Sequence, residues 1–528
     1  MLRGRNSSIR LPDSPDRLSF FGHSTAPRPP RIRLPPPIVL VLLASASFLA
    51  GVLVHRVPSP VTSLVPTFSK ALPALPALRT LSATSPASCR PCDIDPTNPL
   101  CEYGDSAIRV SRAYEGSGVR VRKVLAKALR GEKVKIGVLG ASVTAGHGLD
   151  HGGKVVGPAW PYRWLEDFQK TFPQTELYNG AAPAMDSAFY SFCYRTMVPE
   201  TDIDMWLVEL DVNNDFAQTT LEADDVLFRT LLNLPNEPAV IRLSVFALSF
   251  DDMARGAASN LLLSQFFDIP VITIKNFLLP YLLERPDVAP EYFTKFWDGA
   301  PDYRHVNVHG HNALADMLSL YMAEQLCITR QELARGRLLA KADTPWPTED
   351  TWGKVPRLRA WEKFTATGRV DQSAPVCNFA ASKSHPLLPM HSSRAAVIGG
   401  SPTIHDEHMS AGWQRVEWND KAAWSSSEPG SVIRFPAEGS TVGVAVWTWS
   451  GPKKGLTAEL PGQVACWIDD AEGDAVTIDA YQADGPAHSK WTEVQDHLPT
   501  EKHVVSCRIL GSSSSGGHEV RIMGLVSH

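Results

Sequence analysis

Two short segments, far apart in the chain, contain side chains that can perform nucleophilic chemistry. Ser142 lies in the small-residue run 140–146, directly after the apolar run 134–139. Asp302 and His305 are three residues apart, in a segment that the sequence predicts to be a loop. A serine hydroxyl needs a base to remove its proton, and a histidine base needs a carboxylate that fixes its tautomer. The three side chains therefore predict a nucleophile, a base and an orienting acid, provided that the fold brings both segments together.

Each segment also has simpler interpretations. A small-residue turn after a strand often binds phosphate or only reverses the chain, although run 140–146 contains neither Gly-Lys-Ser/Thr nor GxGxxG. His305, His309 and His311 are potential metal ligands, but their spacing does not place all three on one helix face, and no HExxH motif is present. Polar residues of a surface loop that leads into a helix are the plainest alternative.

The apolar pattern around these segments alternates between short strands and helices. Strand-like runs occur at 134–139, 205–210, 239–246 and 269–274, and helical spacing occurs at 158–172 and 309–328. Strands separated by helices predict an α/β fold with a parallel sheet and helices on both faces. Functional sites in such sheets lie at the carboxyl ends of the strands, which is where Ser142 is expected.

Four short motifs, in this order along the chain, resemble the blocks of the SGNH, or GDSL-type, hydrolase family. They lie at 140–144, 179–184, 209–214 and 302–311. Ala141 stands where the family has Asp, and Ala184 stands where it has an oxyanion-hole Gly. The resemblance extends over about residues 133–328. The order of segments along the whole chain is also similar to that of fungal membrane-anchored SGNH proteins.

The resemblance implies a flavodoxin-like sheet and ester hydrolysis through an acyl-enzyme, with no cofactor and no metal. Ser142 matches the family's nucleophile. His305 matches the residue that acts first as base and then as acid, and Asp302 matches the carboxylate that orients it.

The same resemblance implies an oxyanion hole made of three donors. Two are the backbone N–H groups of Ser142 and Ala184, and the third is the side-chain amide of Asn213. Asn214 is the alternative third donor if the alignment of that block is shifted by one residue.

The N-terminal residues predict a membrane anchor. Residues 38–54 are apolar and uncharged, close to the lower end of the ~17–25 residues that span a bilayer as a helix. All seven Arg of residues 1–36 precede them, which predicts a cytoplasmic tail at 1–36, a transmembrane anchor at 37–55 and a Pro/Ser/Thr-rich stem at 56–88. The expected location is therefore single-pass type II, in the Golgi or secretory-pathway lumen or at the cell surface. A cleaved signal peptide and a buried core helix are the alternatives.

Beyond the stem, the sequence predicts two domains and a linker. Residues 89–330 form the expected SGNH hydrolase domain, and residues 331–395, where the regular pattern is lost, form the expected linker. Residues 396–528 contain short alternating runs that are punctuated by Gly, Pro, Asn and Asp. This pattern predicts a β-sandwich, jelly-roll-like, with Cys466 and Cys507 on two of its strands.

The chain has eight cysteines. Cys89 and Cys92 form a Cys-x-x-Cys pair, which alone is compatible with half a zinc site or a redox motif, but no second pair follows at zinc spacing. In an oxidising lumen, disulfides at the edge of the domain are the expected use. The pairing cannot be deduced from the sequence.

The charge distribution narrows the choice of partner. The net charge is −5, and residues 1–36 carry seven Arg and two Asp, so the remaining residues carry −10. An acidic body is a poor binder of nucleic acid. With the anchor and the β-sandwich, the resemblance predicts a serine esterase that removes O-acyl groups, foremost acetyl, from a cell-surface or secretory-pathway polysaccharide. A polysaccharide O-acetyltransferase with the same triad and a catalytically dead glycan-binding scaffold are the alternatives.

Overall fold

The structure is a computed structural model that describes most of the chain after the predicted stem. The described residues are 88–151, 154–214, 218–250, 257–296, 298–336, 352–370, 375–390, 412–418, 421–451, 459–483 and 487–527. All of them belong to one structural unit, Leu75–His528.

The first part of this unit alternates helices and strands, and the second part is almost entirely strands. The helices are α1 (Pro91–Ile94), α2 (Gly104–Val110), α3 (Val119–Leu129), α4 (Trp160–Thr171), α5 (Ser187–Met197), α6 (Gln218–Leu232), α7 (Ala257–Phe266), α8 (Lys275–Glu284) and α9 (Val308–Ala334). The strands of the first part are β1 (Arg112–Tyr114), β2 (Val134–Gly140), β3 (Asp150–His151), β4 (Lys154–Val155), β5 (Thr175–Asn179), β6 (Met205–Glu209), β7 (Ala239–Ser244), β8 (Val271–Thr273), β9 (Phe293–Lys295) and β10 (Pro301–Val306). Those of the second part are β11 (Val376–Phe379), β12 (Gln414–Trp418), β13 (Lys421–Ser426), β14 (Val432–Glu438), β15 (Val442–Thr448), β16 (Gln463–Ile468), β17 (Val476–Asp479), β18 (His488–Gln495), β19 (Lys502–Ile509) and β20 (Val520–Ser527).

A six-stranded sheet organises the first part. Its strand order is β1-β8-β7-β6-β2-β5. All pairs are parallel except that of β1 with β8. The chain adds β5 on one side of β2 and then adds β6, β7 and β8 on the other side, so the carboxyl ends of β5, β2 and β6 are neighbours. Ligands of such sheets bind where the strand order changes direction in this way.

Helices cover both faces of this sheet, as predicted. Side chains alternate between faces along a strand, and in β6 all of them are buried. Met205 and Leu207 belong to the buried cluster that contains α3, α4 and α9. Trp206 and Val208 belong to the cluster that contains α5, α6 and α7. Burial on both faces explains why the central strands are near-continuous apolar runs.

The second part consists of separate antiparallel sheets, as the alternating pattern predicts. One sheet has the order β12-β13-β20-β15-β18, with β11 also paired to β20, and the other has the order β14-β19-β16-β17. Phe435 of β14, Val444 of β15 and Val505 of β19 lie in one buried cluster. The two sheets therefore share a hydrophobic core.

The stretch 331–395, which the sequence predicts to be a linker, contains the end of α9 and strand β11. This strand pairs antiparallel with β20, and its Cys377 forms a disulfide with Cys193 of α5. Phe379 of β11 packs edge-on against Phe189 of α5, with ring centroids 4.9 Å apart. A short strand of four residues leaves little trace in the pattern, because its position depends on these distant partners.

All eight cysteines form disulfides. The pairs are Cys89–Cys327, Cys92–Cys101, Cys193–Cys377 and Cys466–Cys507. Cys89 and Cys92 thus have different partners, and the Cys-x-x-Cys pair is a structural staple. Cys466 and Cys507 face each other across β16 and β19, on the two strands that the sequence indicates.

The prediction of a membrane anchor is corrected. Among the described residues no helix is both long enough and apolar enough to cross a bilayer, and residues 38–54 lie outside them. Helix α9 has 27 residues, but it includes charged residues such as Asp316 and Glu324. A spanning helix needs roughly 20 predominantly apolar residues. The transmembrane, signal-anchor and type II predictions, with the location derived from them, are therefore contradicted and are not carried further.

Candidate active site

The turn that carries Ser142 follows β2 directly. It forms a single helix-like turn, in which the Ala145 N–H donates to the Ala141 carbonyl (3.0 Å) and the His147 N–H donates to the Ser142 carbonyl (2.9 Å). Gly140 has no side chain because a Cβ there would overlap the side chain of Thr144. The close packing of Thr144 therefore explains why the motif at 140–144 begins with glycine.

The turn continues to a glycine that brings it against β10, the strand, rather than the predicted loop, that carries Asp302 and His305. Gly148 has a φ of +100°, and a Cβ there would overlap the carbonyl oxygen of Val306 at the end of β10. Only glycine accommodates both the left-handed backbone and this approach. The contact places two segments side by side whose Ser142 and His305 are 163 residues apart in the sequence.

The structure brings Ser142, His305 and Asp302 together in a relay. The Nε2 atom of His305 lies 3.0 Å from Ser142 Oγ. Its Nδ1 atom lies 2.6 Å from Asp302 Oδ2. Ser142 and Asp302 are both buried, and each is 8% exposed. The arrangement matches the geometry that a nucleophile, a base and an orienting carboxylate require.

The surroundings of Asp302 keep this carboxylate ionised. Burial alone would raise its pKa, but the hydrogen bond and charge interaction with His305, together with the Arg304 backbone N–H and charge, hold the pKa below its usual value. The Arg304 N–H donates to Oδ1 at 3.0 Å. An ionised Asp302 accepts the Nδ1 proton of His305, which leaves Nε2 free to accept the proton of the Ser142 hydroxyl.

The predicted oxyanion donors follow the two strands that flank β2. Ala184 follows β5 and has a φ of +64°, the left-handed conformation that glycine adopts without penalty. Asn213 follows β6, and its Oδ1 is buried with no hydrogen-bond partner in the described part of the chain. Asn214 accepts from the Ser187 N–H (3.0 Å) and donates to Ser187 Oγ (2.7 Å). Because both ends of the Asn214 amide hold the start of α5, Asn213 is the better candidate donor.

The other two histidines of the last motif have separate places. The backbone N–H of exposed His309 donates to Asn307, which caps α9. His311 is fully buried, and burial lowers its pKa to about 4. Its Nδ1 accepts from the Trp160 N–H (3.2 Å), so its Nε2 carries the proton and donates to the carbonyl of His147 (3.1 Å). Within the described ranges no cluster of three or more His, Cys, Asp or Glu could hold a metal ion.

Four buried ionisable residues beside the site were missed at the level of sequence. Arg242 of β7 binds Asp211 (2.6 Å) and Asp224 (3.4 Å), and all three are buried. Asp211 lies two residues before Asn213, so this ion pair steadies the loop that carries the candidate donor. Glu209, the last residue of β6, is fully buried beneath the turn that carries Ser142. The available signal was a charged residue inside an otherwise apolar strand.

The tryptophans of the second part are mostly core residues. Trp413, Trp424, Trp447 and Trp449 are buried, and Trp418 is half-buried. The other two tryptophans of this part are buried Trp467 and half-buried Trp491. Five of the seven are thus inaccessible for stacking on a sugar ring.

Comparisons with known proteins relate the chain to an esterase fold. No protein-family model and no curated protein matches the sequence. A solved structure of a two-domain esterase active on acetylated mannans is similar, with a TM-score of 0.53 and 17% identity over 80% of this chain and 98% of that chain. The form co-crystallized with mannopentaose gives a TM-score of 0.52 and 17% identity over 80% of this chain and 97% of that one. At this identity the likeness concerns the fold, and it extends across both parts of the molecule.

Proposed function

We propose that the protein is a serine ester hydrolase of the SGNH type that removes O-acyl groups, foremost acetyl, from a polysaccharide. The observation that carries this proposal is the relay Ser142–His305–Asp302, with contacts of 3.0 and 2.6 Å.

The fold supports the family assignment. The five parallel strands, numbered by their order in the chain, lie in the order 2-1-3-4-5, which is that of flavodoxin-like sheets. Residues of the relay and both candidate oxyanion loops lie at the carboxyl edge of this sheet or against it. The two antiparallel sheets that share a core agree with the proposed β-sandwich of the C-terminal domain.

The geometry performs the reaction in two halves. His305 Nε2 accepts the proton of Ser142 as Oγ attacks the ester carbonyl carbon, and the N–H groups of Ser142 and Ala184 with the Asn213 amide stabilise the oxyanion. The protonated His305 then donates its proton to the sugar oxygen as the bond between this oxygen and the carbonyl carbon breaks, so that the sugar leaves as a free hydroxyl and Ser142 holds the acyl group. Water attacks the acyl-enzyme with His305 as base, which releases the acid and restores Ser142.

The choice of a glycan substrate draws on the fold comparison. The similar structure belongs to an esterase active on acetylated mannans, and its likeness covers the antiparallel part as well as the α/β part. The four disulfides are typical of proteins that work in oxidising compartments. We therefore propose that the substrate is an acetylated polysaccharide that occurs in such a compartment.

Acetate release from acetylated mannan and acetylated xylan by the full chain tests this proposal. Ser142→Ala, His305→Ala and Asp302→Asn should each lower kcat by about 10⁴–10⁶ without additivity, because the three act as a unit. Asn213→Ala should cost about 10²–10³, as one oxyanion donor among three. Hydrolysis that survives Ser142→Ala would refute the serine mechanism. Transfer of acetyl to an added oligosaccharide, in place of acetate release, would make the protein a transferase.

A further inference from the structure

A chain of buried polar side chains, which the reaction above does not use, lies beneath the nucleophile turn. Glu209, Thr144, Trp160 and His311 are all fully buried. Thr144 Oγ1 lies 2.8 Å from Glu209 Oε2 and 3.1 Å from Trp160 Nε1. The backbone N–H of Trp160 donates to His311 Nδ1, and His311 Nε2 donates to the carbonyl of His147.

The direction of each hydrogen bond in this chain is determined by its members. An indole N–H can only donate, so Thr144 Oγ1 accepts from Trp160. The single hydroxyl proton of Thr144 is then directed to Glu209. Position 209 must therefore supply a hydrogen-bond acceptor, because a buried hydroxyl without a partner costs about 1–3 kcal/mol.

These hydrogen-bonded side chains hold the turn that carries Ser142 at two points, Thr144 and His147. Thr144 is two residues after the nucleophile, and its carbonyl also accepts from Asn179 (3.4 Å). His147 is five residues after it, and its ring meets the ring of His305 edge-on at a centroid distance of 5.3 Å. A shift of Thr144 would consequently move Ser142 relative to its base.

We propose that Glu209 is a positioning residue: its carboxyl oxygen, acting through Thr144, keeps Ser142 Oγ within hydrogen-bond distance of His305. This inference rests on the serine-hydrolase function proposed above.

The environment of Glu209 shows which property of its side chain matters. Burial raises its pKa to about 7, while the hydrogen bonds from the Thr144 hydroxyl and N–H and the charge of Arg242 lower it and that of Asp211 raises it. The buried phenol of Tyr190 also faces it. Both protonated and ionised Glu209 keep an acceptor oxygen for Thr144, so the acceptor is required and the charge is not.

Four variants of the full chain separate positioning from stability. Thr144→Val and Glu209→Met remove the hydrogen bond, whereas Glu209→Gln keeps the acceptor. Thr175→Val is the matched control. This buried threonine is the first residue of β5, at the end of the strands away from Ser142, and its hydroxyl donates to the Phe172 carbonyl (2.8 Å). The readouts are kcat and KM for an acetyl ester, the melting temperature, and the rate at which diethyl p-nitrophenyl phosphate labels Ser142, followed by mass spectrometry.

Thr144→Val and Glu209→Met should lower kcat and the labelling rate by about 10–100-fold, the cost of a displacement of about 1 Å, with KM changed less than about twofold. Glu209→Gln and Thr175→Val should stay within about threefold of the wild type. Equal kcat values for Thr144→Val and Thr175→Val would overturn the inference. A kcat of Glu209→Gln as low as that of Glu209→Met would overturn it as well. If Thr144→Val does not fold, the Gln and Met variants decide the question alone. Hydrolysis unaffected by Ser142→Ala would instead refute the hydrolase itself.

Discussion

Buried His311 should make the protein sensitive to acid in a way that one substitution removes. Its pKa is about 4 in the folded protein because burial disfavours the charged form, against 6.5 in an unfolded chain. In the unfolded state, protonation begins as the pH falls through 6.5, and the folded state takes up this proton only near pH 4. The stability due to neutral His311 is therefore complete above pH 6.5 and is lost as the pH falls towards 4.

The size of this effect follows from the two pKa values. Linkage gives a loss of about 2 kcal/mol at pH 5 and about 3 kcal/mol at pH 4. Glu209 acts in the opposite direction, because a raised carboxyl pKa stabilises the folded state below about pH 4.5 and this stability is lost as the pH rises to about 7. Because the two contributions oppose each other, the pH dependence of wild-type stability alone would not reveal either of them.

His311→Gln isolates the histidine. A glutamine amide can accept from the Trp160 N–H and donate to the carbonyl of His147, as neutral His311 does, but it does not titrate. Guanidinium unfolding of both proteins at pH 7, 5 and 4 should show the stability difference moving in favour of the variant by about 3 kcal/mol between pH 7 and 4. A difference that stays constant over this range would refute the assignment of a neutral, buried His311.

Two further predictions concern the backbone and the disulfides. Ala184→Gly should raise the unfolding free energy by about 0.5–1 kcal/mol and leave kcat nearly unchanged. The reason is that relief of the left-handed backbone strain slightly outweighs the extra freedom of glycine in the unfolded chain. A destabilised or inactive variant would contradict this and show that the side chain at 184 has another role. Loss of Cys193–Cys377 should destabilise the fold by about 2–3 kcal/mol more than loss of Cys92–Cys101, since the first closes a sequence separation of 184 residues and the second one of 9. Denaturant unfolding of the paired Cys→Ser variants measures this difference, and equal losses would contradict it.

The sequence predicts those elements best whose burial is uniform. Strand β6 is buried along its whole length and was predicted to within one residue, and β2, β7 and α4 were predicted to within two. Strand β5 was missed because it lies at the edge of the sheet and its residues are mostly half-buried, so that TELYN shows no clear alternation. Helix α9 extends six residues past its predicted end because its last turns are stabilised by packing and by ion pairs, including that of Arg122 with Glu332 (2.9 Å).

The candidate site divides in the same way. Ser142, Asp302 and His305 were predicted because their types and motif order are specific. The left-handed backbone of Ala184 and the buried acceptor Glu209 could not be predicted, since backbone torsion and hydrogen-bond direction depend on contacts between distant segments.

The disulfide Cys193–Cys377 has a consequence for how this protein can be taken apart. Helix α5 begins three residues after Ala184, carries Cys193, and is bonded through it to a strand of the antiparallel sheet. Phe189 of the same helix lies in the buried cluster that both parts share. An α/β fragment cut before β11 would expose this apolar face and leave the thiol of Cys193 unpaired on α5. The C-terminal part is thus not an interchangeable module, because removing it would disturb α5, which begins three residues after Ala184.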